Sequence, residues 1–220
     1  SDIKSFVNIA KSSSLFMMVG YVLRFLPALQ KIRELLSNQI LGQIRTAHIQ
    51  VGQYLPDWRP SQDYRKGVSA QASLGGGALL ELSHELDYAV WLFGQPDSLQ
   101  CSKAKLSDLD IDVEDYANVI FEYTKYDSKR RVIVQLDFLQ RVANMSIQIV
   151  GSLATLKANL ITEDIYIYTP DNPGGEYINI EKSINGNEPY LRQFDFLFSK
   201  CFNNYKPVYN QTPLFTDWVT

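Results

Sequence analysis

Between residues 98 and 169 the chain reads SLQCSKAKL (98–106), YANVIFEYT (116–124), RRVIVQLDFL (130–139), NMSIQIVG (144–151), TLKANL (155–160) and DIYIYT (164–169). These runs are rich in β-branched and aromatic residues and are separated by short polar turns, so each predicts a strand. Six such strands in succession predict a large, mostly antiparallel sheet, because short connections join antiparallel neighbours. Upstream, Gln43 to Gln53 alternates well enough to add one more strand.

Outward from the sheet the period changes to that of helices. Tyr190, Phe194, Leu197 and Cys201 recur at helical spacing within Asn187–Phe202, and the tail to Thr220 then stops without a cap or polar taper, as a cut end would. Pro27 suits a first helical turn, with Leu29, Ile32 and Leu36 following at helical intervals and an end expected near Ser37-Asn38. Ile3, Phe6, Val7 and Ala10 predict another helix, and a serine run leads from it into the β-like LFMMVGY (15–21). Glycines 75–77 precede a helix expected from Ala78 to Phe93, which Gly94 would stop. Tyr54 to Leu74 is a long polar and aromatic loop, and loops of that length are usually functional or mobile.

Composition limits the classes of function. The 220 residues are 45% hydrophobic and 20% charged, enough to bury a sizeable core. A formal charge of −3, with lysines and arginines scattered, leaves no basic stripe for nucleic acid. Cys101 and Cys201 lie far apart and no secretory signal precedes them, which fits two free thiols and a cytoplasmic location. The most apolar early stretch, Leu15–Gly20, is far shorter than the roughly 20 residues that cross a bilayer, so no membrane association is expected.

The chemistry concentrates in GGGALLELSHELDYAVWLFG (75–94). On a continuous helix, Leu79, Leu82, Leu86, Ala89, Val90 and Phe93 share one face, while Glu81, His84, Glu85 and Tyr88 gather on another. His84 then has carboxylates three residues before it (Glu81) and three after it (Asp87), a spacing that presents a tunable imidazole for proton exchange with a substrate hydroxyl. The same spacing also suits a structural histidine. Ser83 and His84 point about 100° apart and cannot act as nucleophile and base for each other. HELD lacks the second histidine of HExxH, and His48 sits in an expected strand, so no metal site is predicted. No GxGxxG follows a strand, and the glycines before the helix serve equally well for close packing.

Three stretches together, VGYVLRFLPAL (19–29), LPDWRPSQDYR (55–65) and LGGGALLELSHELDYAVWLFG (74–94), resemble the Gfo/Idh/MocA oxidoreductases, and IQIVGSLATL (147–156) fits as well. The resemblance covers essentially the whole chain. It implies an α+β fold, a mixed open sheet with helices on one face, preceded by the final helix and strand of a Rossmann domain. Residues 1–20 would be that remnant, and 21–220 the substrate-binding and oligomerisation domain. NAD or NADP would belong to the full-length parent, with none expected on this chain, which would not turn over substrate alone. The implied partners are a sugar or nucleotide-linked sugar and further copies of the chain, as a dimer or tetramer through the outer sheet face, expected to alternate Val, Ile and Phe.

Carried over by position, His84 resembles the family's acid/base histidine, with Glu81 as its acidic partner at a spacing of three where four is usual, and Asp87 as the fallback. Arg24 resembles an arginine near the substrate or nicotinamide, although Val22 and Leu26 stand where relatives often carry asparagine and histidine. Trp58, Arg59, Tyr64 and Arg65 look like a substrate loop and Asp87 joins them as a contact; arginine suits phosphate or carboxylate, and aromatic faces suit sugar rings. The rival expectation is a non-catalytic module that uses the sheet for oligomerisation or ligand binding. An enzyme should bring Glu81, His84, Arg24 and Tyr64 together on a concave surface.

Overall fold

All seven expected strands are present in the computed structural model, which describes residues 2–124, 129–183 and 186–202; the tail from residue 203 lies outside the described residues. They are β1 (Ile44–Gly52), β2 (Ser98–Ala104), β3 (Tyr116–Tyr123), β4 (Arg130–Asp137), β5 (Asn144–Gly151), β6 (Thr155–Asn159) and β7 (Asp164–Tyr168), and a two-residue β8 (Glu176–Tyr177) extends one edge. They form a single open sheet in the order β2-β3-β4-β1-β5-β6-β7-β8. Every pairing is antiparallel except that of β1 with β4. A parallel pair needs a long crossover, and it is this crossover that carries the loop and helix of chemical interest.

One sheet face is dry. Ala47, Ile49, Phe121, Val132, Val134, Leu136, Ile147, Ile149 and Leu156 are buried there against Leu29, Ile32 and Leu35 of α2 (Pro27–Ser37) and Tyr88, Ala89 and Phe93 of α4 (Ser83–Phe93). The opposite face differs from expectation. Its central cross-strand row runs Ile120, Ile133, His48, Gln148, Lys157 and Tyr166. Most of the valine and phenylalanine read as an outer apolar surface instead points at the helices, because strand alternation sends every second residue to the core.

The remaining helices are α1 (Asp2–Ser12), α3 (Ala78–Glu81) and α5 (Glu188–Cys201). Leu15–Gly20, read as β-like, joins no ladder among the described residues, and Val22–Phe25 forms a single 3-10 turn. A strand exists only with a neighbour to satisfy its backbone, and among the described residues none pairs with this segment. Phe25 and Phe16 set their rings 5.8 and 5.9 Å from that of Phe196 on α5.

The helix expected over 78–93 is two helices. Leu82 sits between them at φ −100°, ψ 29°, and its side chain packs against both hydrophobic clusters. The second cluster comprises Leu55, Ala70, Ala78, Leu109, Ile111, Val113 and Phe138. The break lets Ala78 serve that small core while Tyr88, Ala89 and Phe93 serve the large one.

α2 receives its N-terminal cap from far away in sequence. Glu163, in the β6–β7 turn at φ +54°, is buried, and its carboxylate accepts from Ala28 N at 3.1 Å and Ser183 N at 2.8 Å. A carboxylate at a helix N-terminus is favourable, and its loss here strands two amides. Glu163→Ala is expected to lower stability by about 2 kcal/mol, measurable as a shift in the urea midpoint at constant slope.

Candidate functional site

The break at Leu82 leaves His84, Glu85 and Tyr88 together on α4, and it is the packing of that helix on the sheet that sorts them. Glu85 (2% exposed) and Tyr88 (0%) do not share a polar face with His84; they are buried beside Ala89 and Phe93. The polar stripe of α4 is instead His84, Asp87 and Trp91, spaced as i, i+3 and i+7. Gly94, at φ +80°, ends the helix as expected, and its carbonyl accepts from Tyr123 Oη at 2.9 Å while Arg130 donates to the Phe93 carbonyl. A cation at a helix C-terminus is the favourable placement, so α4 is held from its far end.

His84 is half-buried, with Tyr21 edge-on to its ring at 5.4 Å and its Nδ1 buried without a hydrogen-bond partner among the described residues. Burial holds the imidazole below its ordinary value, and the charge of Asp87 works in the opposite direction. Asp87 is itself clamped: Arg24 Nε donates to Oδ2 at 2.6 Å and Nη2 to Oδ1 at 2.5 Å. Burial raises the Asp87 carboxyl, with Arg24 and then His84 opposing. Arg24 and Arg33 lie 6.0 and 4.4 Å from the Trp91 ring. This side of α4 thus presents an uncharged imidazole near neutral pH beside a bidentate ion pair.

Glu81 lies across the break. Its Oε2 accepts from Ser69 Oγ at 2.5 Å, and the carboxylate whose charge acts on His84 is Asp87. Sequence spacing put Glu81 and His84 on one continuous wheel, and the turn at Leu82 separates them.

The 54–74 loop folds into a chain of single 3-10 turns over the small core. Leu55, Trp58, Arg59, Gln62, Asp63, Tyr64, Gly67 and Ser69 line a small, half-open pocket. Trp58 is fixed by Nε1 donating to the Gln53 carbonyl at 3.1 Å and by the Phe138 ring at 5.2 Å; Tyr64 Oη accepts from Asp110 N at 3.2 Å. Arg65 forms a bidentate pair with Asp63, at 2.8 and 2.9 Å. Arg59 makes no ion pair among the described residues. The predicted residues therefore fall into two groups, Arg24–Asp87–His84 and the Trp58–Arg59–Tyr64 pocket, with Glu81 tied to the second through Ser69. Tyr21, Ser69 and Trp91 were not singled out; only Trp91 left a local signal, seven residues after His84.

The glycine turn is not a phosphate cradle. Gly76 N, Gly77 N and Ala78 N donate to the carbonyls of Gln71, Ser69 and Glu114, and Leu79 N donates to the Glu114 carboxylate. A carboxylate at that helix start would repel a pyrophosphate. The glycines serve close approach instead: a Cβ on Gly76 would overlap the Val68 carbonyl, and one on Gly77, at φ +111°, would come within 2.5 Å of Glu114 Oε1.

Comparison with known proteins gives a consistent picture. The sequence model of the GFO/IDH/MocA C-terminal domain matches residues 29–157. An uncharacterised oxidoreductase of Synechocystis sp. is 36% identical over 93 residues, 42% of this chain and 24% of that protein. The fold is that of an inositol dehydrogenase homologue from Azotobacter vinelandii, solved with NAD+ (TM-score 0.68, 17% identity, 80% of this chain and 46% of that one). It is also that of the UDP-N-acetylglucosamine 3-dehydrogenase of Acidithiobacillus ferrooxidans (TM-score 0.67, 14% identity, 90% and 57%). The chain spans about half the length of these solved relatives and about a quarter of the curated one.

Proposed function

The chain belongs to the GFO/IDH/MocA family, and from that membership we propose that the whole protein is an NAD(P)-dependent oxidoreductase acting between the carbinol and ketone forms of a sugar, with nucleotide-linked sugars as the substrate class. The observation that carries this reading is His84, half-buried, with its imidazole held below the ordinary value by burial and a clamped carboxylate three residues away. A neutral imidazole takes the hydroxyl proton as the carbinol is oxidised and returns it in the reverse direction. Arg24 holds Asp87, so the ring feels a fixed, partly neutralised charge.

The glycine turn of this chain does not fit a dinucleotide, and the nicotinamide that supplies the hydride would belong to a companion Rossmann domain, of which residues 1–20 would be the end. In support, α1 exposes Ile3, Phe6 and Ile9, and the next segment exposes Leu15, Met17 and Val19, an apolar surface of the kind a neighbouring domain covers. A cytoplasmic location belongs to the same reading; among the described residues no helix is long and apolar enough to cross a membrane. Contact between copies through the outer sheet face would rest on a polar row with isolated isoleucines and tyrosines, and a monomer by light scattering would argue against it.

The second reading, a non-catalytic binding or oligomerisation module, draws on Glu81 being engaged by Ser69 rather than by His84. The test is nicotinamide absorbance on the whole protein with a panel of sugars and nucleotide sugars, UDP-N-acetylglucosamine included. Turnover with a nucleotide sugar is expected; tight cofactor binding without turnover on any sugar would favour the module.

A further inference from the structure

We propose that a buried water site joins Tyr88, Glu85 and Nδ1 of His84, that it holds His84 as the Nδ1–H tautomer, and that Nε2 is therefore the atom exchanging the substrate proton. Tyr88 is the positioning residue of this site. The assignment of Nε2 rests on the acid/base reading of His84.

Helix geometry brings the three groups together. On α4, Tyr88 lies one turn beyond His84 and about 40° around the axis, between His84 and Glu85, which is about 100° around. Long side chains on a helix lean back over the preceding turn, so the Tyr88 hydroxyl is carried toward residues 84 and 85. The charge of Glu85 acts on that hydroxyl, which places the two near each other. Both side chains are buried, Tyr88 at 0% exposure and Glu85 at 2%.

The polar accounting then lacks a partner. Tyr88 Oη and His84 Nδ1 are both buried without a hydrogen-bond partner among the described residues. The core around Tyr88 is apolar, and the hydroxyl of its other buried tyrosine, Tyr123, is given to the Gly94 carbonyl. Buried polar groups are paired with protein or with ordered water. A buried water takes about two to four polar partners, and an imidazole nitrogen, a phenol and a carboxyl stand here. Burial lifts the Glu85 carboxyl to about 8, so near neutrality it brings a donor and an acceptor to the site rather than a charge.

Which tautomer the water meets follows from which nitrogen is accessible. His84 makes no hydrogen bond among the described residues and Nδ1 is its buried nitrogen, which leaves Nε2 as the one a substrate reaches. To take a hydroxyl proton Nε2 must be bare, so the ring hydrogen sits on Nδ1 and donates to the water.

A long-range nitrogen–proton NMR correlation of the whole protein, labelled in histidine and assigned by the signal that His84→Ala removes, reads the tautomer at about pH 7. Wild type should carry the hydrogen on Nδ1. Tyr88→Phe removes only a hydroxyl; it should shift the tautomer ratio toward Nε2–H by about tenfold and lower kcat by up to that factor, with KM within about twofold. Glu85→Leu should act alike, and Glu85→Gln, which keeps a donor and an acceptor, should restore the wild-type ratio. A wild type with the hydrogen on Nε2, or a ratio that Tyr88→Phe and Glu85→Leu leave unmoved, would overturn the proposal. If Tyr88→Phe does not fold, the Glu85 pair carries the same test. The tautomer is read without substrate, so the two readings fail separately. The expected tautomer with no turnover on any sugar upholds the water site and rejects the redox reading, and turnover with the hydrogen on Nε2 does the reverse.

Discussion

Raising the pH from 5 to 9 should destabilise this protein by about 4 kcal/mol through one residue, Glu85, and Glu85→Gln should remove that dependence. Glu85 is 2% exposed, and burial lifts its carboxyl from 4.5 to about 8. A raised carboxyl pKa means that the folded state holds a proton the unfolded chain has released. Stability is therefore full below about 4.5, falls as pH rises, and levels off above about 8. His84 contributes with the opposite sign, since burial lowers its value and folding releases its proton. Comparing urea unfolding of wild type and Glu85→Gln across this range isolates the glutamate. Parallel curves would show that Glu85 is not buried as a neutral acid.

Glu85 also marks a limit of sequence reading. Most of the sheet was legible because strand alternation is a local property, and β3, β6 and β7 follow it along their whole length, while the exposed edge strand β2 was legible from its composition alone. The break at Leu82 was not, because its cause is tertiary: a leucine shared by two hydrophobic clusters. With the break unseen, the wheel paired Glu81 with His84; it also put Glu85 and Tyr88 on the polar face, because a wheel does not show which side of α4 meets the core. Asp87 was legible as a neighbour of His84, but the bidentate clamp from Arg24, 63 residues earlier, had no local trace. Ser69 is one serine in a polar loop, and only the glycine-permitted approach to α3 reveals its partner. Leu15–Gly20 shows the converse, an apolar, β-like segment that joins no ladder among the described residues.

The largest functional effect is expected at His84. General acid–base catalysis by a positioned side chain contributes about 10²- to 10⁴-fold, so His84→Ala should lower kcat by that order while leaving cofactor affinity intact. Because burial depresses the imidazole below its ordinary value, the acid limb of the wild-type kcat/KM profile should fall below the usual histidine range. Arg24→Gln frees the Asp87 charge to stabilise the imidazolium, so it should move that limb upward.

The measurement that tests the central claim most directly is kcat of wild type and His84→Ala in the whole protein, at saturating nicotinamide and a turned-over nucleotide sugar, with cofactor affinity measured in parallel. A fall of at least about a hundredfold at unchanged cofactor affinity is the result this account predicts; unchanged kcat would contradict it and remove His84 from the chemistry.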